Sequence, residues 1–468
     1  GAGHERGVAA GERAEDRRGF TRHAADPTAL ATTFAIGEEQ GLQTGSGGVT
    51  REATPVLGAL ASGDAALVPG TTTRLDLVVR TRGLGHFFPT GTVDAQEAWV
   101  ELRVTDAAGR TLRLSGAVDD SGTVDPSAHF YRNLMVDGHG NPIDKRNAFA
   151  ARATVYVNLI PPGAADVVHY RLAVPDDVVP PVTVAAALHY RKFTYAYTRF
   201  AYGGLMQAGD FGVDYDDRSW TDGPVPDDVP GLVKTVPDVP IVTMAVDTLR
   251  LAVADRAGLR AADPLPGDST ATAMRWNDYG IGLLREGDLK SAARAFAAVT
   301  RLHPTYADGW INRARVALQD SDLDAADGYL AEALRLNPGF LKARYFRALI
   351  HKDRGDYPDA LADLRAVAEA FPSDRVVLGT LGRVFLLSEQ FSASVGAFED
   401  VLAIDPEDVM AHYNLMLAFQ ALGDRDRALA HRLRYERYKA DESAVALTRL
   451  ARQRDPHANR EALPIHLH

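Results

Sequence analysis

Three histidines, His86, His129 and His139, lie in polar loop sequence beside aspartates. Imidazole together with carboxylate is a donor set that holds a borderline divalent metal. His139 falls inside Asp137-Gly-His-Gly-Asn-Pro-Ile-Asp144, so two carboxylates and one imidazole share a single short loop. The loop lacks the alternating acids and closing Glu of an EF-hand, which makes it a poor calcium loop. His86 opens Gly85-His-Phe-Phe-Pro-Thr-Gly91, a segment that glycine and proline bend into a presented turn. Three uses stay open. Each histidine bonds loop backbone and fixes a turn; or His86, His129 and His139 with Asp137 or Asp144 form a divalent metal site; or one of them contacts a neighbouring haem.

Other chemistry has little support. No Gly-x-Ser-x-Gly elbow, phosphate loop or dinucleotide fingerprint occurs. The paired acids Asp119-Asp120, Asp176-Asp177, Asp216-Asp217 and Asp227-Asp228 fall in turn sequence, where solvation is their ordinary role. Tyr190, Phe193, Tyr195, Tyr197, Phe200 and Tyr202 are expected on one long strand, Val182–Tyr202, as a core face with an aromatic edge. Enzymatic activity stays open, with the residues weighing against it.

Composition narrows the partners. A formal charge of −11 argues against a nucleic-acid backbone. No window approaches the roughly 20 apolar residues that a membrane helix needs. The absence of cysteine removes disulfides, thiolate catalysis and covalent haem attachment from this chain. The sequence opens at Gly1 without methionine and reads as trimmed, so an upstream segment is expected to be missing.

The chain divides by its periodicities. Residues 1–50 read as a weakly ordered segment with a short helix over 29–39. Period-two strands fill 51–221, including Thr73–Thr81 and Glu97–Thr105 with its hairpin turn at Asp106–Gly109, and they predict an antiparallel immunoglobulin-like β-sandwich. Trp99 sits on an alternating strand as a core residue. Prolines 224, 226, 230, 237 and 240 make 222–240 a stiff stretch of the connector assigned to 222–270, within which 241–254 reads as a last strand or short helix.

After it, Pro304, Pro338, Pro372 and Pro406 recur at a 34-residue step. The same phase repeats Gly287-Asp288, Ser321-Asp322, Gly355-Asp356, Glu389-Gln390 and Gly423-Asp424; small Ala292, Ala326, Ala360 and Ser394; and large Phe296, Leu330, Leu364 and Phe398. Trp276 and Trp310 open the first two units, and Arg344 replaces the tryptophan in the third. The pattern resembles the tetratricopeptide repeat, with five units over 271–442 and a C-terminal helix and tail at 443–468. The fifth unit, with Arg432 at the large apolar place, is an eroded cap. The resemblance implies an all-α solenoid with a concave, protein-binding groove. Its groove positions would be Asn277, Asn312, Arg315, Lys342, Tyr345, Arg383, Tyr413 and Asn414, whose Asn, Lys and Arg side chains are able to clamp a peptide carboxylate.

A second resemblance covers about 50–250. The Gly85–Gly91 turn with Asp94 and Glu97-Ala-Trp-Val, His189-Tyr-Arg-Lys-Phe, and Val236-Pro-Asp-Val-Pro-Ile-Val are similar to the β-sandwich that follows the haem region of exported multihaem c-type cytochromes. It implies a haem-free scaffold part of a periplasmic or extracellular electron-transfer system. Either haem lies in a missing upstream region or this chain is a haem-free relative, and a haem domain or cytochrome would be a partner.

Overall fold

The computed structural model describes residues 66–92, 94–206, 220–225, 227, 235–254, 269–439 and 442–468. The segment 1–50 with its expected helix lies outside them. Strands β1 (Ala66–Leu67), β2 (Thr72–Arg80), β3 (Glu97–Thr105), β4 (Thr111–Ser115), β5 (His129–Phe130), β6 (Asn133–Val136), β7 (Ala153–Val157), β8 (Ala165–Ala173) and β9 (Val182–Arg191) precede a helix, α1 (Tyr195–Gly203). β10 (Gly204–Met206), β11 (Trp220–Asp222) and β12 (Ile241–Val253) complete the β half.

The main sheet has the order β1-β12-β9-β3-β4, with β5 also paired to β3. Alternation on β3 turns Ala98, Val100, Leu102 and Val104 into one core with Val168, Tyr170 and Leu172 of β8. The antiparallel β2–β8 ladder thus lies against the main sheet. On the other face of β3, Trp99 is fully buried with Val124, Ala128 and Phe130, and its indole donates to the Gly116 carbonyl. The expected hairpin forms, with Asp106 accepting from the main-chain N–H of Ala108 and Arg110.

Three sequence expectations change here. The immunoglobulin-like sandwich is met only in its coarse form, strands around one core, because the described strands make a single six-stranded sheet and three two-stranded ladders. The long strand from Val182 stops at Arg191, since Thr194 caps a helix by accepting from the Tyr197 N–H. Tyr195, Tyr197, Phe200 and Tyr202 therefore lie on α1. The span 222–270 is more than a connector: the strand expected over 241–254 forms as β12, which pairs with β9 over ten registered positions and so belongs to the main sheet.

Helices α2 (Ser269–Glu286), α3 (Leu289–Leu302), α4 (Ala307–Gln319), α5 (Leu323–Leu336), α6 (Leu341–Arg354), α7 (Tyr357–Ala370), α8 (Arg375–Leu387), α9 (Phe391–Ile404), α10 (Val409–Ala421) and α11 (Arg425–Tyr438) form the expected pairs. Each repeated proline follows the residue that ends the second helix of a pair, His303, Asn337, Phe371 or Asp405. Asp288, Asp322 and Asp424 cap the next helix by accepting main-chain N–H groups. The residues ahead of all five N-cap positions, Asp356 and Gln390 included, take left-handed backbone: Gly287, Gly355 and Gly423, but also Ser321 and Glu389, at φ 61° and 60°. Phe296, Leu330, Leu364 and Phe398 are buried, as are the small Ala292, Ala326, Ala360 and Ser394 of the same phase. The fifth unit ends the stack with an exposed arginine, Arg432, paired to Glu436.

α2 lies directly on β8. A Cβ at Gly282 would stand 2.5 Å from the Val167 side chain and 3.1 Å from the Asp166 main chain, so only glycine permits this approach. At the far end, α12 (Glu442–Arg454) and α13 (Pro456–Glu461) pack on β6 and β7, burying Ala451 and Ala458 with Val136, Val155 and Tyr156. Lys439 and Glu442 are three peptide steps apart, at most about 11 Å of chain. Both ends of the helical array are therefore held at the β half.

Candidate functional site

The expected groove residues are mostly engaged with one another. Asn312 donates to Asn277 at 2.9 Å and accepts from Arg315 at 3.2 Å, and all three are buried. Lys342 bridges to Asp308, and the Tyr345 hydroxyl meets that of Thr380. Arg383 donates to Asn414, whose amide donates to the Met410 carbonyl. Most of these bonds join first helices of neighbouring repeats, so the polar residues form a ladder that ties repeat to repeat. The β half closes over the early units: Arg80 and Arg82 both bond Asp278 of α2, and Arg80 also acts on the charge states of Tyr306 and Lys342. Arg383 stays exposed and Tyr413 half-buried, its ring tilted at 49° against that of Tyr435.

The histidine expectation separates into three places. His86 is exposed, with Nδ1 donating to the Phe87 carbonyl. His139 is exposed in a tight turn, where the buried Asp137 carboxylate accepts from the main chain of His139 and Asn141. Asp144 accepts from the Trp220 indole and faces Lys145. None of these four joins His129, whose surroundings come from elsewhere in the chain.

His129 lies on β5, placed by pairing with Val100. The tail beyond α12 comes to meet it. Asp455 caps α13 by accepting from His457 and Ala458, with Pro456 in the first turn, and this sets Glu461 at the helix end. The chain then runs to His468, whose main chain bonds β8 on either side of Tyr170: its N–H to the His169 carbonyl, its carbonyl from the Arg171 N–H. In the result, His129, Glu461, His466 and His468 each aim one donor atom into a common space, all four within 4.8 Å of one another. Among the described residues this is the one such group of three or more. Sequence reasoning missed its larger part. The available sign was His466-Leu-His468, two imidazoles at the spacing that puts alternate side chains of extended chain on one face.

Charge and contacts in the cluster are specific. His129 faces Asp166 at 3.3 Å through Nε2 and Glu461 at 3.3 Å through Nδ1. Burial works against its charge, yet Glu461 and Asp166 outweigh it and lift its pKa to about 9. Burial also opposes the Glu461 carboxylate; the His129 charge overcomes this and holds it far below the usual range. Burial, then the His129 charge, pushes His468 down to about 3. Asn158 orients Glu461 by donating to Oε2 at 2.8 Å, and Arg460 reaches the Ser127 carbonyl.

Comparison with known proteins bears on the helices. The family model described as tetratricopeptide repeat matches residues 280–339 and 311–375. The tetratricopeptide repeat and J domain-containing co-chaperone DNJ1 of Cryptococcus neoformans is 38% identical over 84 residues, 18% of this chain and 16% of that protein. Protein FlbA of Caulobacter vibrioides is 24% identical over 157 residues, 34% of this chain and 26% of that protein. The chain spans only a small part of the length of these curated relatives. Among solved structures, MamA 41-end from Desulfovibrio magneticus RS-1 is similar over 38% of this chain and all of that chain, with 22% identity and a TM-score of 0.34. The helical half carries tetratricopeptide repeats.

Proposed function

We propose that this chain is a non-catalytic scaffold that binds a protein segment on the later repeats. The observation that carries the reading is the division of the concave face: the β half covers its first units, while Arg383 and Tyr413 remain accessible. On the same helix as Tyr413, Met410 exposes an apolar side chain. A cation beside apolar ground suits an acidic segment with an apolar anchor. Selection from a displayed peptide library against the purified chain tests this. Recovered peptides should lose at least tenfold in affinity, about 1.4 kcal/mol, to Arg383→Glu and Tyr413→Ala proteins of unchanged melting temperature. Peptides that ignore both substitutions would place binding elsewhere.

A narrower version makes the scaffold the haem-free portion of a multihaem cytochrome system, periplasmic or extracellular. It is supported by the resemblance over 50–250 and by His86, an exposed imidazole on a presented turn. Adding a purified multihaem c-type cytochrome and following its absorption should show a perturbation that His86→Ala abolishes. An unchanged spectrum with the unsubstituted chain argues against this version and leaves the scaffold reading intact.

A further inference from the structure

The His466 and His468 rings meet in an arrangement that needs a positive charge between them. His466 Nδ1 lies 2.9 Å from the Leu463 carbonyl and His468 Nδ1 lies 3.0 Å from the Ser127 carbonyl. A carbonyl only accepts, so both Nδ1 atoms carry a proton, and either ring in its neutral form turns a bare lone pair outward from Nε2. Those two Nε2 atoms stand 3.1 Å apart. Glu461 Oε1 is 3.5 Å from each of them. Two lone pairs and a carboxylate oxygen converge on one point.

The triangle has the dimensions of a coordination face. Ligands held at about 2.0–2.1 Å in a tetrahedron stand about 3.3–3.4 Å from one another, close to edges of 3.1, 3.5 and 3.5 Å. His129 supplies a fourth nitrogen within 4.8 Å of the other donors, and neither of its ring nitrogens makes a hydrogen bond of good geometry. We propose that His129, Glu461, His466 and His468 bind one Zn²⁺ ion, which fastens the tail after α12 to the β half. Three imidazoles and a carboxylate without a thiolate suit zinc, and His129 gives up its proton as the cation arrives. Four protein ligands leave no open position, so the site is structural rather than catalytic. It is also closed: the side chains of Glu461 and His468 are 2% and 1% exposed. The Nδ1 bonds to Leu463 and Ser127 and the Asn158 bond to Glu461 Oε2 are outer contacts of the kind that orient metal ligands.

The test uses the full chain, stripped with a chelator and titrated with Zn²⁺ by calorimetry and with Co²⁺ by visible absorption. One equivalent should bind, Co²⁺ should give a tetrahedral spectrum, and Zn²⁺ should raise the melting temperature. His466→Gln and His468→Gln should each abolish the spectrum and weaken Zn²⁺ by more than ~100-fold, beyond the 10–100-fold expected of Asn158→Ala, which removes only an orienting bond. His139→Gln, outside the cluster, should change nothing. If His468→Gln does not fold, His466→Gln, on the more accessible ligand, decides. The proposal is overturned if the stripped chain takes up no Zn²⁺, or if it binds with the same affinity after His466→Gln. The first of these results would mean that a proton bridges the two rings.

Discussion

His169 of β8 and Glu286 at the end of α2 are joined directly, Nε2 standing 3.0 Å from a carboxylate oxygen, while Nδ1 of the same ring lies 2.8 Å from Asp76 of β2. A ring whose two nitrogens both face carboxylates is held as an imidazolium. Burial opposes that charge, but Asp76 and Glu286 overcome it and raise the pKa to about 10. The Glu286 carboxyl is itself pushed up to about 7, by burial first.

Both groups hold their protons more firmly in the folded state than in the unfolded chain. Their contribution is complete at low pH and is lost as the pH climbs, Glu286 between about 4.5 and 7 and His169 between about 6.5 and 10. Denaturation curves should therefore show stability falling from pH 7 to 10. His169→Ala should cost about 3–5 kcal/mol, as expected when one partner of a buried ion pair is removed, and should flatten the alkaline slope. An equally steep slope in the variant would mean that other groups govern it.

At the far end of the array the sign reverses. His412 of α10 donates through Nε2 to the Pro406 carbonyl, so its Nδ1 accepts from His431 Nδ1 of α11 at 3.0 Å. Burial, then His412, lowers the His431 pKa to about 4, and burial lowers that of His412 too. A histidine with a lowered pKa stabilises the fold above its unfolded value near 6.5, and this is lost as the pH falls toward 4. Hydrogen exchange should show α11 opening before α2–α9 across that interval. His431→Phe, which cannot take a proton, should remove the pH dependence.

Ser321 and Glu389 occupy left-handed backbone that the equivalent units give to glycine. Side chains there cost roughly 1 kcal/mol or more. Ser321→Gly and Glu389→Gly should each raise stability by about 0.5–1 kcal/mol and add when combined, being two repeats apart. Chemical denaturation of the two single variants and the double variant measures this; a loss in either single variant would refute it.

Gly282→Ala should separate the two halves. A methyl at that position meets Val167 and the β8 main chain, so α2 must lift from the ladder. The expected cost is about 1–3 kcal/mol. Protection against hydrogen exchange should fall at α2 and β8 while α6–α9 stay protected.

The repeats were legible because their signals are local and recur. Proline, cap and core positions each have a physical role within one helix pair, and the 34-residue step multiplies that evidence. Arg344 is instructive: it departs from the tryptophan of earlier units yet makes a similar bond. Trp310, Arg344 and His412 all donate to the carbonyl of the proline six residues earlier, which closes the preceding unit, and a comparison of residue type alone does not reveal this. The groove residues were placed on the right helices, but sequence could not show that they bond to one another. The β half was less legible. Alternation identifies strands such as β3 and fixes Trp99 inside, but pairing of β1 with β12 or β5 with β3 is decided by contacts far apart in the chain. Aromatics after Arg191 suggested more strand, while the Thr194 cap ended it. Of the metal candidates only His129 found partners, because Glu461, His466 and His468 come from more than three hundred residues away.

Stacked helix pairs ordinarily behave as a spring, and a free spring adapts its pitch to whatever it grips. Here Gly282 seats the first coil on β8 and Ala458 seats the return segment by β7, so both feet stand on one base. Its curvature is then preset by the base. A guest must match that curvature on arrival, and force applied to any coil is delivered to the sheet.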